Sequence, residues 1–589
     1  MKTPTLVAAL AAAPFAPEAF AQSADAALTL GKVQVHQHGE GQLSARQVLT
    51  SVDVLGADQI EDRNVSHSWE LLGQMPGIQL TETRQGAESG KVSFRAFNGE
   101  GYLNAIKTLI DGGYRDHDTS KKYSLGGKWF FGTLDEGLRV GLTARAYHHE
   151  ADEPGFMTAE ELRTHRRGSE LRNGNDGDDR DMRQIAAHVD LKLSDALTFG
   201  TRLYYNRYED DRRVTFSDLP TGNLPRQRRV WDERQTGLFS TLTWQASPAL
   251  TLEGGLNYEQ QDNGYIRERY AYAEPTDFSQ PPARVQNNDR HSFDNWGAYV
   301  QAVYQPVEAW KIVPAYRIDR FSGSTHLMNG VRGRLQDYGT IGQPKLSVIH
   351  SLGQTTHVYA NWGRTFQVLT GSTAPAYLTP GQAPMQPSTN TGMELGLKFQ
   401  PFAGSQARLA VWQQDAENEV SNMPATGTTV TLGKTRRRGV DAQLSLQLGD
   451  DWTVWASHAY QEAKITRDDR DAGISLQGRE VAATPRHISN LGVDYRAADA
   501  LRLGLQARAQ GDYYLEERNV AGKFGGFAVL DLSAAYQLTP RFSVDLQLKN
   551  VTGRQYAYAW YDSFFWDSAR PMFSPAPGRS VFVGLNMKL

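Results

Sequence analysis

The sequence predicts an all-β transmembrane antiparallel barrel preceded by a truncated N-terminal α+β domain. Three observations predict it. From Tyr123 onward, hydrophobicity alternates with period two for more than 450 residues. The connections between alternating runs are by turns tight and long. Beyond the first two dozen residues there is no run of 18 or more apolar residues, the length a membrane helix needs. A mean hydropathy of -0.53 and a net charge of -4 look soluble. A barrel reaches the same average because lipid-facing residues alternate with polar lumen residues. Its 12 Trp, 25 Tyr and 23 Phe suit aromatic girdles at the two membrane interfaces. The absence of cysteine excludes disulfides, thiolate metal sites and a Cys nucleophile. The near-neutral charge offers no basic footprint for nucleic acid.

Taken in order, the chain begins with Lys2, an apolar stretch LVAALAAAPFA and Ala19-Phe20-Ala21, a small-x-small signature with Gln22 as the expected new N-terminus. Residues 1–21 therefore read as a signal peptide and 22–48 as a polar linker. Residues 49–112 read as the small α+β domain, in which Val65, Trp69 and Leu72 have helix spacing and Pro76-Gly77 stops the helix.

Residues 113–589 read as the barrel. Tyr123, Leu125, Gly127, Trp129 and Phe131 share one face. Leu138, Val140, Leu142, Ala144 and Ala146 alternate with Arg139, Gly141, Thr143, Arg145 and Tyr147, one face for hydrocarbon and one for water. In Leu501 to Arg508 the inward set Arg502, Gly504, Gln506 and Arg508 suits a wet lumen better than a dry core. Tight connections fall near 133, 194, 246, 306, 352, 448, 497 and 538, and long polar ones at 150–182, 210–232, 263–290 and 554–577. Bacterial barrels turn tightly on the periplasmic side and carry long loops outside. About 19 strands are legible, an odd number whose two edges run the same way and cannot pair antiparallel.

Several segments resemble the TonB-dependent outer-membrane receptors of the ferric-siderophore type. VLGADQIED, ELLGQMPGIQL and VSFRAFNGEGYLNAIKTLIDG are similar to the first half of that family's plug, with Arg95-Ala96-Phe97 where most members have Arg-Gly-Phe. PKLSVIHSL, THVYANWGRTFQ, NTGMELGLKF, GVDAQLSLQL, PRHISNLGVDY, LQLKNVTGRQY and PGRSVFVGLNMKL are similar to family strands, in family order. Leu28, Thr29, Leu30, Gly31, Lys32, Val33, Gln34 and Val35 resemble a TonB box, which pairs with TonB by strand addition. The family barrel has 22 strands around a plugged lumen. At Gly113 this chain passes from the middle of the plug to a strand well inside the family barrel, so the rest of the plug and about three strands are absent. It also ends in Leu589 rather than in the family's usual aromatic.

The resemblance implies a bacterial outer-membrane receptor and transporter that takes up a ferric siderophore, with iron as cargo and no resident cofactor. The alternatives are a receptor of the same fold for haem, a vitamin or another metal chelate, and a truncated remnant that no longer transports. Implied partners are the TonB–ExbB–ExbD complex, the siderophore, outer-membrane lipid and lipopolysaccharide, with no nucleic acid and a monomeric state. Candidate ligand contacts are Arg95, Asn98, Glu100 and Tyr102 on the plug, and Arg226, Arg228, Arg229 and Trp231 in a loop. Arginine beside aromatics suits anionic, oxygen-rich chelates.

No resident metal site is expected: His36 and His38 lie in the linker, His148, His149 and Glu150 sit at a strand end, and 173–181 lacks the order of a calcium loop. With neither a Gly-x-Ser-x-Gly motif nor a phosphate loop, no enzyme activity is expected.

Overall fold

A computed structural model describes residues 75–82, 90–95, 97–99, 109–111, 115–215, 226–367, 377–378, 386–423, 428–468, 475–562 and 570–587. The signal, TonB-box and predicted-helix segments lie outside these residues, as do Glu100 and Tyr102.

The plug segment contributes a three-stranded antiparallel sheet of β1 (Ile78–Glu82), β2 (Gly90–Phe94) and β3 (Phe97–Gly99). Pro76-Gly77 forms the turn into it, and Gly77 has φ +73, a backbone region that favours glycine. Pairing of Phe94 with Phe97 leaves a two-residue connection that begins at Arg95, itself at φ 49.

The wall is built from β4 (Leu109–Asp111), β5 (Ser120–Phe131), β6 (Leu138–Asp152), β7 (Gly177–Ser194), β8 (Leu197–Thr215), β9 (Arg226–Ser247), β10 (Leu250–Tyr270), β11 (Arg284–Val307) and β12 (Trp310–His326). It continues through β13 (Arg332–Leu335), β14 (Thr340–Ser351), β15 (Thr356–Gln367), β16 (Tyr377–Leu378), β17 (Ser388–Phe399), β18 (Ser405–Met423), β19 (Thr428–Leu448) and β20 (Trp452–Arg467). The remainder is β21 (His487–Ala498), β22 (Leu501–Gln510), β23 (Tyr513–Tyr514), β24 (Lys523–Phe524), β25 (Phe527–Thr539), β26 (Phe542–Lys549), β27 (Ala557–Asp562), β28 (Arg570–Pro575) and β29 (Ser580–Met587). The short β13 and β16 pair with each other above the wall, and β23–β24 and β27–β28 are separate two-stranded ribbons.

Among the described residues, the sheet closes with 20 antiparallel strands. The odd edge expected from the sequence is filled by β4, which lies between β29 and β5 and pairs Leu109 with Lys122, Ile110 with Lys121 and Asp111 with Ser120. These residues belong to the plug-like LIDG run, so a piece of plug sequence completes the wall.

The barrel is apolar outside and polar within. Leu125 is 78% exposed and Val583 69%, whereas Arg212, Arg437 and Gln227 are fully buried. Each tight connection read from the sequence falls between two wall strands.

The long connections are shorter than expected. Residues 177–182, 210–215, 226–232, 263–270 and 284–290 are strand, not loop. Their polarity misleads because above the lipid no apolar face is required. The backbone ladder still satisfies each N–H and C=O, and charged side chains pair across it, as Arg228 does with Asp211 at 2.7 Å.

Candidate ligand site in the barrel lumen

On β9 the exposed Leu238, Leu242 and Trp244 set the even-numbered face outward, and register to β8 is unbroken from Arg226 to Trp244. Arg226 and Arg228 therefore lie on the outer face, and Arg229 and Trp231 on the lumen face. The four predicted residues are strand residues, split between two surfaces.

Arg228 makes paired bonds to Asp211 and approaches Glu268 at 3.4 Å. Arg226 stacks on Tyr272 at 4.2 Å, and its Nε donates to the Ala273 carbonyl.

The lumen face gathers a different group. Register pairs Arg229 with Arg267 and Gln227 with Arg269, and period two puts Arg267 and Arg269 on one face of β10, opposite the exposed Leu256. Three arginines thus crowd together near the long-loop end of the lumen, each more than nine-tenths buried. Arg229 Nε donates to Gln227 Oε1 at 2.9 Å, and Arg269 Nε to Gln286 Oε1 at 2.6 Å. Arg267, 3% exposed, leaves Nε and Nη2 without a hydrogen-bond acceptor among the described residues. Asp289 lies opposite Tyr265 on the neighbouring strand, but its two oxygens accept from Asn287 Nδ2 at 2.7 Å and from the Met328 N–H at 2.9 Å.

Trp231 and Tyr265 form an aromatic pair beside this group, with ring centroids 5.4 Å apart, and the buried Tyr265 hydroxyl has no partner among the described residues. Buried donors without acceptors carry a desolvation cost of about 1–3 kcal/mol each, more when charged, which an incoming anion would remove. Sequence reading missed Arg267 and Arg269 because it placed them in a loop. The signal was present in Ile266-Arg267-Glu268-Arg269-Tyr270, where like charges recur at i and i+2.

Several other charges in the lumen are matched. Arg212 makes a two-bond pair with Glu153 at 2.6 and 2.9 Å, Arg180 meets Asp210 at 2.8 Å, and Arg437 binds Glu419 at 2.5 and 2.6 Å. Arg95 reaches from the plug sheet to Glu394 on β17 and Asp441 on β19. Of the remaining plug candidates, Asn98 lies in β3 and its side chain is outside the described residues.

His148 and His149 face opposite sides of the wall. Asn173 closes a short turn, and 177–181 begin β7, so the acidic run does not form a calcium-binding loop.

The barrel half, residues 260–551, matches the family model of the TonB dependent receptor-like β-barrel, and residues 44–127 match the TonB-dependent receptor plug domain. The metal-pseudopaline receptor CntO of Pseudomonas aeruginosa (strain UCBPP-PA14) is 23% identical over 342 residues, 54% of this chain and 46% of that protein. The ferripyoverdine receptor of P. aeruginosa is 25% identical over 273 residues, 41% of this chain and 32% of that one. The chain thus spans less than half the length of these curated relatives. Among solved structures, the ferric yersiniabactin uptake receptor FyuA of Yersinia pestis superposes with a TM-score of 0.75 at 14% identity, over 92% of this chain and 98% of that one. The unliganded ferric citrate transporter FecA gives 0.68 at 19% identity, over 80% and 71%. These likenesses establish the fold. Together with a plug match ahead of a barrel match, they place the chain in the family of TonB-dependent receptors, non-enzymatic proteins of the bacterial outer membrane.

Proposed function

We propose that this receptor takes up an anionic metal chelate of the ferric-siderophore class, in a step powered by TonB through residues 28–35. The observation that carries the reading is the lumen group of Arg229, Arg267 and Arg269 beside Trp231 and Tyr265. Guanidinium groups pair bidentately with carboxylate, hydroxamate or catecholate oxygens, and the rings cover the apolar parts of a chelate. The unpaired donors of Arg267 favour a ligand that brings negative charge.

Arg95 already pairs with two wall carboxylates, which favours an anchoring role for it. Asn98, Glu100 and Tyr102 remain the proposed plug-side contacts. Relatives named for metal-pseudopaline and for ferripyoverdine keep a second reading in view, a chelate of a metal other than iron.

Tryptophan quenching of the purified receptor with a panel of ferric siderophores and other metal chelates tests the site. An anionic ferric siderophore should bind, and Arg267→Gln should weaken it at least tenfold. Equal affinity in Arg267→Gln would remove the site. Binding only of chelates of another metal would favour the second reading. Deleting residues 28–35 should abolish uptake and leave binding unchanged, and uptake that persists would refute the TonB-box assignment.

A further inference from the structure

β6 and β7 place a second constellation on the outside of the wall. Register sets His148 opposite Asp181 and Glu150 opposite Asp179. Period two puts all four on the face that carries the exposed Leu138, Val140 and Leu142 of β6 and Ile185 and Leu193 of β7. Asp181 lies four residues above Ile185, so the group stands roughly 13 Å along the strand beyond the last of these apolar side chains, at the headgroup level of the outer leaflet.

His148 Nδ1 is 3.4 Å from Asp181 Oδ1 and 3.8 Å from Asp179 Oδ1, and its Nε2 is 3.7 Å from Glu150 Oε1. One ligand atom each from His148, Asp179 and Asp181 lies within 4.8 Å of the others. Nitrogen and oxygen ligands at about 2.0–2.2 Å from a first-row divalent ion sit roughly 3–3.5 Å from one another, close to this spacing.

The charge balance argues the same way. On β8 the next outward acids are Glu209, opposite Asp181, and Asp211, opposite Asp179. Each has an arginine, Arg207 at 2.7 Å and Arg228 at 2.7 Å. Glu150 has Lys121 at 3.8 Å. Among the described residues, no lysine or arginine pairs with Asp179 or Asp181, and Tyr123 stacks on the His148 ring with centroids 6.1 Å apart. Two carboxylates with His148 as their one nearby basic group, facing a layer of anionic headgroups, are electrostatically unfavourable, and a divalent cation reverses the sign.

We propose that His148, Asp179 and Asp181, with Glu150 at the margin, form a divalent-cation site on the outer wall. The imidazole selects a transition ion of the zinc type over magnesium. The site is independent of the lumen site and of the transported metal. Its open coordination positions face the headgroup layer, where phosphate oxygens are available.

The test is a Co2+ titration of the full chain, purified in detergent and stripped with a chelator, followed by visible absorbance and calorimetry. One Co2+ should bind per chain, with absorption bands of nitrogen and oxygen ligation, and Zn2+ should displace it. Asp179→Asn and Asp181→Asn should each weaken binding at least tenfold while heat-modifiable gel mobility shows an intact barrel. His36→Ala/His38→Ala should bind as the parent does, which separates this site from the linker histidines. Unchanged affinity in the Asp179 and Asp181 variants, or loss of Co2+ in the His36/His38 variant, would overturn the proposal.

Discussion

Arg95 of the plug sheet holds Asp441 of the barrel wall through two bonds, Nε at 3.0 Å and Nη2 at 2.9 Å, and the same Nη2 lies 2.6 Å from Glu394. Tyr359 donates its hydroxyl to Glu394 at 2.6 Å, and the guanidinium lies 4.8 Å from the Trp412 ring. Gly77 closes against both partners: a Cβ there would meet Arg95 Cγ at 3.3 Å and Asp441 Oδ1 at 3.7 Å. One buried cation therefore joins the plug to three wall strands. Removing it leaves two buried carboxylates, a loss of about 3–5 kcal/mol in buried pairs of this kind. Arg95→Met should loosen the plug sheet, seen as faster amide exchange at 78–94 and higher conductance in planar bilayers. Adding Glu394→Gln and Asp441→Asn should restore much of the protection. Parental exchange in Arg95→Met would show that the pair does not anchor the plug.

Closure of the barrel rests on the three residues of β4. Proline at Ile110 cannot donate to the ladder, and each orphaned buried group costs about 1–3 kcal/mol in protein and several in lipid. Ile110→Pro should lower the temperature at which heat-modifiable mobility is lost. A parental transition would mean that the seam is not closed there.

The alternation that made the wall legible came from hydrocarbon. Where lipid ends, at about Tyr258 on β10 and Ile185 on β7, the outward residues turn polar and the period-two signal in hydrophobicity fades although the strand continues. That is why Arg229 was placed in a loop and Arg267 and Arg269 were missed. Charge alternation would have found them. Closure by Leu109–Asp111 was hidden for another reason: a three-residue strand has no period, and its sequence resembles a plug. Arg95 was legible as a residue of consequence, but its role depends on Asp441, 346 positions away, and no spacing announces such a contact.

The first long connection is tied to the lumen by Glu153 and Arg212, both fully buried, whose two hydrogen bonds make a fork-to-fork pair. Glu153→Gln breaks this buried pair, which should cost about 3–5 kcal/mol locally. The expected readout is protease cleavage within 154–175 that the parent resists. Equal resistance would show that the helix Ala159–Thr164 and its capping box at Thr158 hold the loop without the ion pair.

The same connection carries a pH response at Asp176. Its Oδ2 accepts the Thr215 N–H at 2.7 Å and Asn173 Nδ2 at 2.8 Å, and its Oδ1 accepts the Thr215 hydroxyl at 3.0 Å. Burial, reinforced by the nearby Glu153, outweighs these bonds and pushes its carboxyl from the ordinary 3.8 up to about 7. The folded loop therefore holds the proton more tightly than the unfolded chain does. Its contribution to stability is complete below about pH 4 and is lost progressively as pH rises through about 7. Amide protection factors in 153–176, which already discount the intrinsic pH dependence of exchange, should fall between pH 5.5 and pH 8. Asp176→Asn keeps the size and accepting oxygen of the side chain but does not titrate, so its protection should stay flat over that range. A parental slope in Asp176→Asn would assign the response to another group, and a flat parent would mean that Asp176 does not titrate there.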